Sequence, residues 1–280
     1  MAEITPALVG KLREMTSAGL MDCKKALVKS QGDLQGAVDV LRKEGTASAA
    51  KKASREAKEG VIAQHVTPGA KSGVLVEINC ETDFVAKNEF FGIFCADVAK
   101  KFAADSAADV ETDRVAAVAK IGENIKITRH QRLDVQGAGA VAAYIHTGAK
   151  VGVLVEVGCG KEATTASEDF KQFVRDITLQ IAAAHPIAVS REQISAEVIQ
   201  REDDIARNSD ALKGKPAAAM ENILKGKREK FFQTTCLIDQ GFVKNPDVTV
   251  KAHLGAIAKQ LGDELTVRRF LRFQVGEVLA

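Results

Sequence analysis

Five cysteines and five histidines are the residues in this chain that could hold a metal or attack a substrate. Cys23, Cys80, Cys95, Cys159 and Cys236 form no C-x-x-C pair, and His65, His130, His146, His185 and His253 form no H-E-x-x-H. A metal centre needs clustered ligands, so none is expected. The odd cysteine count, with no secretory leader visible at Met1-Ala2-Glu3-Ile4-Thr5-Pro6, reads as reduced thiols in the cytoplasm. Cys23 stands beside Lys24 and Lys25, cations that favour a reactive thiol, but no general base accompanies it and a packed thiol is expected. Gly69-Ala70-Lys71-Ser72 ends as phosphate-binding loops do, yet the G-x-x-x-x-G-K-[ST] spacing is absent, so no direct nucleotide binding is expected. Without an acid pair or triad, neither enzymatic chemistry nor a cofactor is expected. Two features remain: the loop Glu81-Thr82-Asp83-Phe84-Val85-Ala86 and the lone His146.

Both features stand out against an internal repeat. Gly69-Ala70-Lys71-Ser72-Gly73-Val74-Leu75-Val76-Glu77-Ile78-Asn79-Cys80 matches Gly148 to Cys159 at an offset of 79 residues, and the match runs on to Phe91, Phe94 and Val98 against Phe170, Phe173 and Ile177. Each copy reads as strand, tight turn, strand, helix. Val74, Val76 and Ile78 alternate with Leu75, Glu77 and Asn79, the period of a strand, and Phe91, Phe94, Val98 and Phe102 follow the period of a helix. Where copy one has Glu81 to Ala86, copy two has Gly160-Lys161-Glu162-Ala163-Thr164-Thr165. Strand-to-helix loops favour polar residues, so an aromatic in only one copy needs a reason. Phe84 either tucks under its own helix or stands out as a wedge for a partner's pocket, with Asp83 fixing its orientation. His146, with Thr67 in its place in copy one, is either structural or reaches a partner from its hairpin.

These loops need a frame. A third strand can close each copy: Ile121-Gly122-Glu123-Asn124-Ile125-Lys126-Ile127 runs from a helix end into a strand, and Leu261-Gly262-Asp263-Glu264-Leu265-Thr266-Val267 does likewise. The expected fold class is α+β: two related subdomains, each with a three-stranded antiparallel sheet covered by helices. They are expected over 59–139 and over 140–190 with 231–280. Residues 191–230 form an insertion. Val198, Ile205 and Leu212 recur every seven residues, Gly214-Lys215-Pro216 turns the chain, and Met220, Leu224, Lys227 and Phe231 return. That predicts an antiparallel coiled-coil hairpin with a thin seam, since Arg201 and Asn208 take the other core positions.

Residues 1–58 read as a small helical module. Thr5-Pro6 starts a helix with Leu8, Val9, Leu12 and Met15 on one face; Asp22 caps a second that ends near Gly32; Asp33 caps a third that ends at Gly45; and an Ala/Lys-rich helical connector runs from Ala47 to Lys58. The module carries 11 basic against 7 acidic residues, a nucleic-acid footprint or a face for an acidic protein. The full chain of 280 residues has a net charge of only +2, against a dedicated nucleic-acid binder. With 46% apolar and 27% charged residues it is not a disordered chain, and no run nears the roughly 20 apolar residues that cross a bilayer.

Met1-Ala2-Glu3-Ile4-Thr5, Thr16-x-Ala18-Gly19-x-Met21-Asp22-Cys23-Lys24-Lys25-Ala26-Leu27, Asn79-Cys80-Glu81-Thr82-Asp83-Phe84-Val85-Ala86, Ile121-Gly122-Glu123-Asn124-Ile125 and Phe270-Leu271-Arg272-Phe273-Gln274-Val275-Gly276-Glu277 together resemble the bacterial elongation factor Ts family, in order and over essentially the whole chain. The resemblance implies a ubiquitin-associated-like (UBA-like) N-terminal module, a two-part core and a coiled-coil hairpin. It implies a guanine-nucleotide exchange factor whose partner is elongation factor Tu, GDP-bound and nucleotide-free, with a higher-order two-plus-two assembly open. It assigns Thr82, Asp83, Phe84 and Val85 to dislodging Mg²⁺ from that partner. Met21 and Lys24 would contact the partner's nucleotide domain, Ile121 and Gly122 would support the intruding loop, and the region of His146 would meet another domain. Family members often continue past Val-Gly-Glu into a further short helix; with the chain stopping at Ala280, that contact is expected to be lost and binding weakened. The competing expectation is an RNA- or ribosome-associated protein, which the basic module allows.

Overall fold

The repeat dictates the architecture. In the computed structural model, which describes residues 4–16, 18–209 and 216–277, each copy folds into one three-stranded antiparallel sheet. The N-terminal helices are α1 (Pro6–Thr16), α2 (Leu20–Lys29) and α3 (Leu34–Lys52), followed by the hairpin β1 (Glu59–Val66) and β2 (Ser72–Cys80). The helices α4 (Asp83–Ala86), α5 (Glu89–Ala104) and α6 (Glu111–Ile121) lead to β3 (Lys126–Asp134). Copy two opens with β4 (Gly139–Ile145) and β5 (Val151–Cys159) and continues through α7 (Glu168–Ala184). The insertion supplies α8 (Ala196–Arg207) and α9 (Ala217–Thr235); a short hairpin β6 (Gly241–Phe242) and β7 (Asn245–Thr249), then α10 (Val250–Leu261) and β8 (Leu265–Gln274), complete the copy. The sheet orders are β1-β2-β3 and β4-β5-β8.

Each sheet buries one face under its own helices. Val74, Val76 and Ile78 pack on Phe91, Phe94 and Val98, and Val153, Val155 and Val157 pack on Phe170, Phe173 and Ile177. The alternate residues Leu75, Glu77 and Asn79 fall on the opposite face, yet all nine residues of β2 are buried. The reason is that the second faces of the two sheets cover each other, with Ile62, Leu75, Leu133, Val141, Leu154 and Phe273 between them. The contact is nearly two-fold: Ile62 N donates to Ala149 O at 2.7 Å, and Val141 N, 79 residues on, donates to Ala70 O at 2.8 Å. The close approach leaves no room for a Cβ at Gly152, which would lie 2.4 Å from Ile62 Cγ2, or at Gly73, 2.8 Å from Leu154 Cδ1. Buried Glu77 and Glu156 sit at equivalent positions. Arg129 holds the first at 2.8 Å, while Arg269 at 2.7 Å and Arg268 at 3.0 Å hold the second.

Several local expectations need correction. The second helix starts at Leu20 after Gly19, so Asp22 lies inside its first turn rather than capping it. The third helix does not stop at Gly45: it runs on to Lys52, with Gly45 facing Val115 and Ala119 of α6 and Ala49 buried in the core beside Ala117 and Val118. Residues 53–58 are therefore not a helical connector. Met15 is exposed, since α1 buries only Val9 and Leu12 fully. In the insertion, Ile205 points to solvent, 59% exposed, while Asp203 and Ala206 are buried and Arg228 of α9 binds Asp203. Of the seven-residue stripe, Val198 does pack in one cluster with Phe231 and Phe232 of α9, while Ile205 leaves the contact. Leu212, Gly214 and Lys215, with Met1 to Glu3 and the end of the chain at 278–280, lie outside the described residues. No helix among the described residues is long and apolar enough to cross a membrane.

Candidate functional site

The loop after β2 is built from its base. Helix α6 ends at Gly122, whose φ of +88° turns the chain left-handed without a Cβ penalty and delivers Glu123 beneath the loop. Glu123 Oε2 accepts the backbone N–H groups of Glu81 and Thr82, both at 3.0 Å, and Oε1 accepts Thr82 Oγ1 at 2.6 Å. Thr82 in turn caps α4, accepting Val85 N at 3.3 Å. Glu81 accepts Asn124 N at 2.6 Å and pairs with Arg55 at 3.4 Å, while Asn124 Nδ2 donates to Arg55 O at 2.8 Å. The segment leaving α3, the end of α6 and the loop are therefore one hydrogen-bonded unit.

On this base the side chains divide. Val85 faces inward onto the helix–sheet core, and Ile121 packs on the same core. Phe84 faces outward and is 82% exposed, so the tucked arrangement is not the one adopted. Its ring stands on one helical turn whose ends are both tied down. Asp83 sits beside it, bonded by Lys87 at 2.7 Å, and that hydrogen bond holds its carboxyl below the usual range. Behind the loop, Lys120 lies over the Phe90 ring at 3.4 Å. Burial, with the Glu123 charge, pushes the Cys80 thiol up to about 12 and leaves it protonated at neutral pH. Cys23 is buried, its Sγ 3.7 Å from Ala18 O, a packed thiol as expected.

Copy two uses the same frame for a different end. Gly262 terminates α10 with φ +60°, and Asp263 accepts Gly160 N at 3.1 Å and Lys161 N at 3.0 Å. The loop it holds is a 3-10 turn, Glu162–Ala166, with exposed Ala163 where Phe84 stands in copy one.

The other expected site residues lie in two places. His146 is exposed in the β4–β5 turn, with Nδ1 2.9 Å from Tyr144 Oη. That turn is tied to the start of β1 by Lys150, which bonds Glu59 and Gly60 O. Glu59 pairs across the sheet with Cys80, where the Phe84 loop begins, so the structure brings His146 and Phe84 to the same end of the core. Met21 and Lys24 are exposed on α2, where Leu20, Met21 and Val28 leave apolar side chains in solvent, as Met15 does on α1. They make no hydrogen bond or ion pair with the loop. Glu123 is the residue the sequence reading passed over. Its signal was legible: an acid follows glycine after the helix in both copies, at Glu123 and Asp263. Among the described residues no group of His, Cys, Asp and Glu could hold a metal.

Comparison with known proteins places this chain among relatives of one kind. Residues 81–277 match the family model described as Elongation factor TS. The chain is 44% identical to the Elongation factor Ts of Trichlorobacter lovleyi, covering 99% of this chain and 94% of that protein. It is 43% identical to that of Symbiobacterium thermophilum, over 99% and 93% of the two chains. It is 40% identical to that of Nitratidesulfovibrio vulgaris strain DP4, over 98% and 96%.

Proposed function

The chain belongs to the elongation factor Ts family, and from that premise we propose that it promotes exchange of GDP for GTP on elongation factor Tu during translation. The observation that supports this reading most is Phe84, an exposed aromatic on a turn held at its base by Glu123 and capped by Thr82. An exchange factor breaks no covalent bond. It must bind the nucleotide-free partner more tightly than the nucleotide-bound one, and by linkage it weakens nucleotide by the same factor. A rigid aromatic that enters the partner meets this need, because the ordering of the loop is already complete before binding. Phe84 supplies the apolar anchor, and Asp83 and Thr82 fix its approach. Displacing the elements that hold Mg²⁺ removes a large positive charge from beside the phosphates, and GDP leaves. Val85, Ile121 and Gly122 hold the loop from behind. Met21 and Lys24 on α2, and His146 on the β4–β5 turn, extend the contact to either side.

In the same reading residues 1–58 are a UBA-like module, 191–230 a coiled-coil arm and the remainder a two-part core. The protein works in the cytoplasm, alone with its partner or as a two-plus-two assembly, without binding nucleotide itself. An RNA- or ribosome-binding role is not favoured, given a net charge of +2. The test is release of labelled GDP from elongation factor Tu. Acceleration that saturates with this protein is expected, and no acceleration would overturn the reading.

A further inference from the structure

A cleft of about 690 Å³ opens where the C-terminal end of α7, the β4–β5 turn and the last residues of β8 meet. Lys58, Lys150 and Arg272 border it together with Tyr144, His146 and His185. Glu59 also lines it but is bonded by Lys150, and Lys58 is paired with Glu56 at 2.8 Å. The floor is apolar, from Leu179, Ala182 and Ala183 of α7.

Arg272 has no ionic partner among the described residues. Its Nη2 donates to two uncharged acceptors, His185 Nε2 at 2.9 Å and Gln274 Oε1 at 3.1 Å. Its Nε is sealed from solvent with no acceptor among the described residues. Nη1 makes no hydrogen bond to a described residue and is not among the sealed atoms, so it is the edge a ligand can reach. Glu277 acts on the guanidinium electrostatically, but its carboxylate is bonded by Arg129 at 3.0 Å. Burial holds Arg272 below the ordinary arginine range, and the Glu277 charge offsets only part of that.

We propose that this cleft binds a carboxylate, an Asp or Glu side chain of the partner protein, with Arg272 as its principal ligand. The proposal rests on the exchange-factor reading and extends it from the Phe84 loop along the edge that carries His146. The remaining Nη1 can give a carboxylate a charge-assisted hydrogen bond, and the apolar floor strengthens the pair by excluding water. The end of α7 that faces the cleft is its C-terminus, whose partial negative charge opposes a phosphate dianion more than a single carboxylate.

The test measures affinity of the full chain for nucleotide-free partner GTPase at low and high salt, with melting curves of the same samples. Arg272→Gln is expected to weaken binding about tenfold at low salt and to flatten its salt dependence. Arg272→Lys should recover part of the loss. The melting temperature of Arg272→Gln should be unchanged or raised, because an un-neutralised cation has been removed; a clear drop would make Arg272 structural and overturn the proposal. Unchanged affinity in a variant of a protein whose wild type still releases GDP would overturn it while leaving the exchange reading intact. Inorganic phosphate is the second probe. Saturable phosphate binding lost in Arg272→Gln, without any change in partner affinity, would reassign the cleft to a free anion and overturn the partner carboxylate.

Discussion

After β2 the chain turns through Thr82 to Ala86 with Glu123 holding its first backbone N–H groups; after β5 it turns through Lys161 to Ala166 with Asp263 in the same place. Both acids follow a left-handed glycine that ends a helix, and both loops lead into a helix whose phenylalanines line a core. The frame is therefore a requirement of the fold, present whether or not the loop has a further task. What differs is what the frame presents. Copy one carries a capped helical turn and an aromatic 82% in solvent; copy two carries a 3-10 turn and an exposed alanine. Folding does not reward an exposed phenyl ring, so the ring at Phe84 is the part of the loop that the shared frame does not account for.

The comparison breaks most directly at Phe84. Phe84→Ala should cut stimulated GDP release on the order of thirtyfold, the loss of an interface anchor worth about 2 kcal/mol, with little change in melting temperature. Adding Ala163→Phe to that variant should not restore exchange, since the same ring on the other copy faces elsewhere. A large fall in melting temperature with normal exchange per folded molecule would return Phe84 to a structural role. The next effect concerns the shared face of the two sheets. Gly152→Ala should destabilise by about 1–3 kcal/mol because its Cβ meets Ile62 Cγ2 at 2.4 Å, and Gly73→Ala by less, at 2.8 Å from Leu154. Urea unfolding of the two variants checks the order.

A subtler contrast separates frame from task. Glu123→Ala and Asp263→Ala should each cost about 1–2 kcal/mol in stability, leaving loop N–H groups without their acceptor. Only Glu123→Ala should also lower exchange at saturating factor, because only that loop carries the ring. Equal exchange by both variants would mean that Phe84 positions itself without its base. The smallest effect is in acid. Burial raises the pKa of Glu156, but the Gln136 N–H and the Arg269 and Arg268 guanidiniums outweigh it and hold the carboxyl below its ordinary 4.5. A lowered folded value stabilises the protein above about pH 4.5, and that contribution is lost as pH falls through the folded value. Denaturation midpoints between pH 6 and 3 should therefore fall less steeply in Glu156→Gln than in the parent protein.

Local signals in the sequence were sufficient where a single element decides the outcome. The 79-residue repeat, the period-two strands, the Phe91-Phe94-Val98 helix face and the glycine stops at Gly122 and Gly262 all appear in the structure, because backbone preference and one-sided burial act over a few neighbouring residues. The odd aromatic at Phe84 was legible for the same reason, by contrast with Ala163. Tertiary contact decided the rest. The second face of β2, with Leu75, Glu77 and Asn79, is buried because another sheet lies on it, and no feature of β2 alone announces that sheet. Gly45 does not end its helix because the residues beyond it, Ala49 among them, are buried against the core that includes Ala117 and Val118 of α6. Ile205 faces solvent although Val198 of the same stripe packs with Phe231, because Asp203, bonded by Arg228, and Ala206 take the buried positions of α8 there. Whether Phe84 stood in or out, and whether Arg272 had a counter-ion, depended on groups brought together from distant parts of the chain. Periodicity reports which face of an element is apolar; it does not report what covers that face.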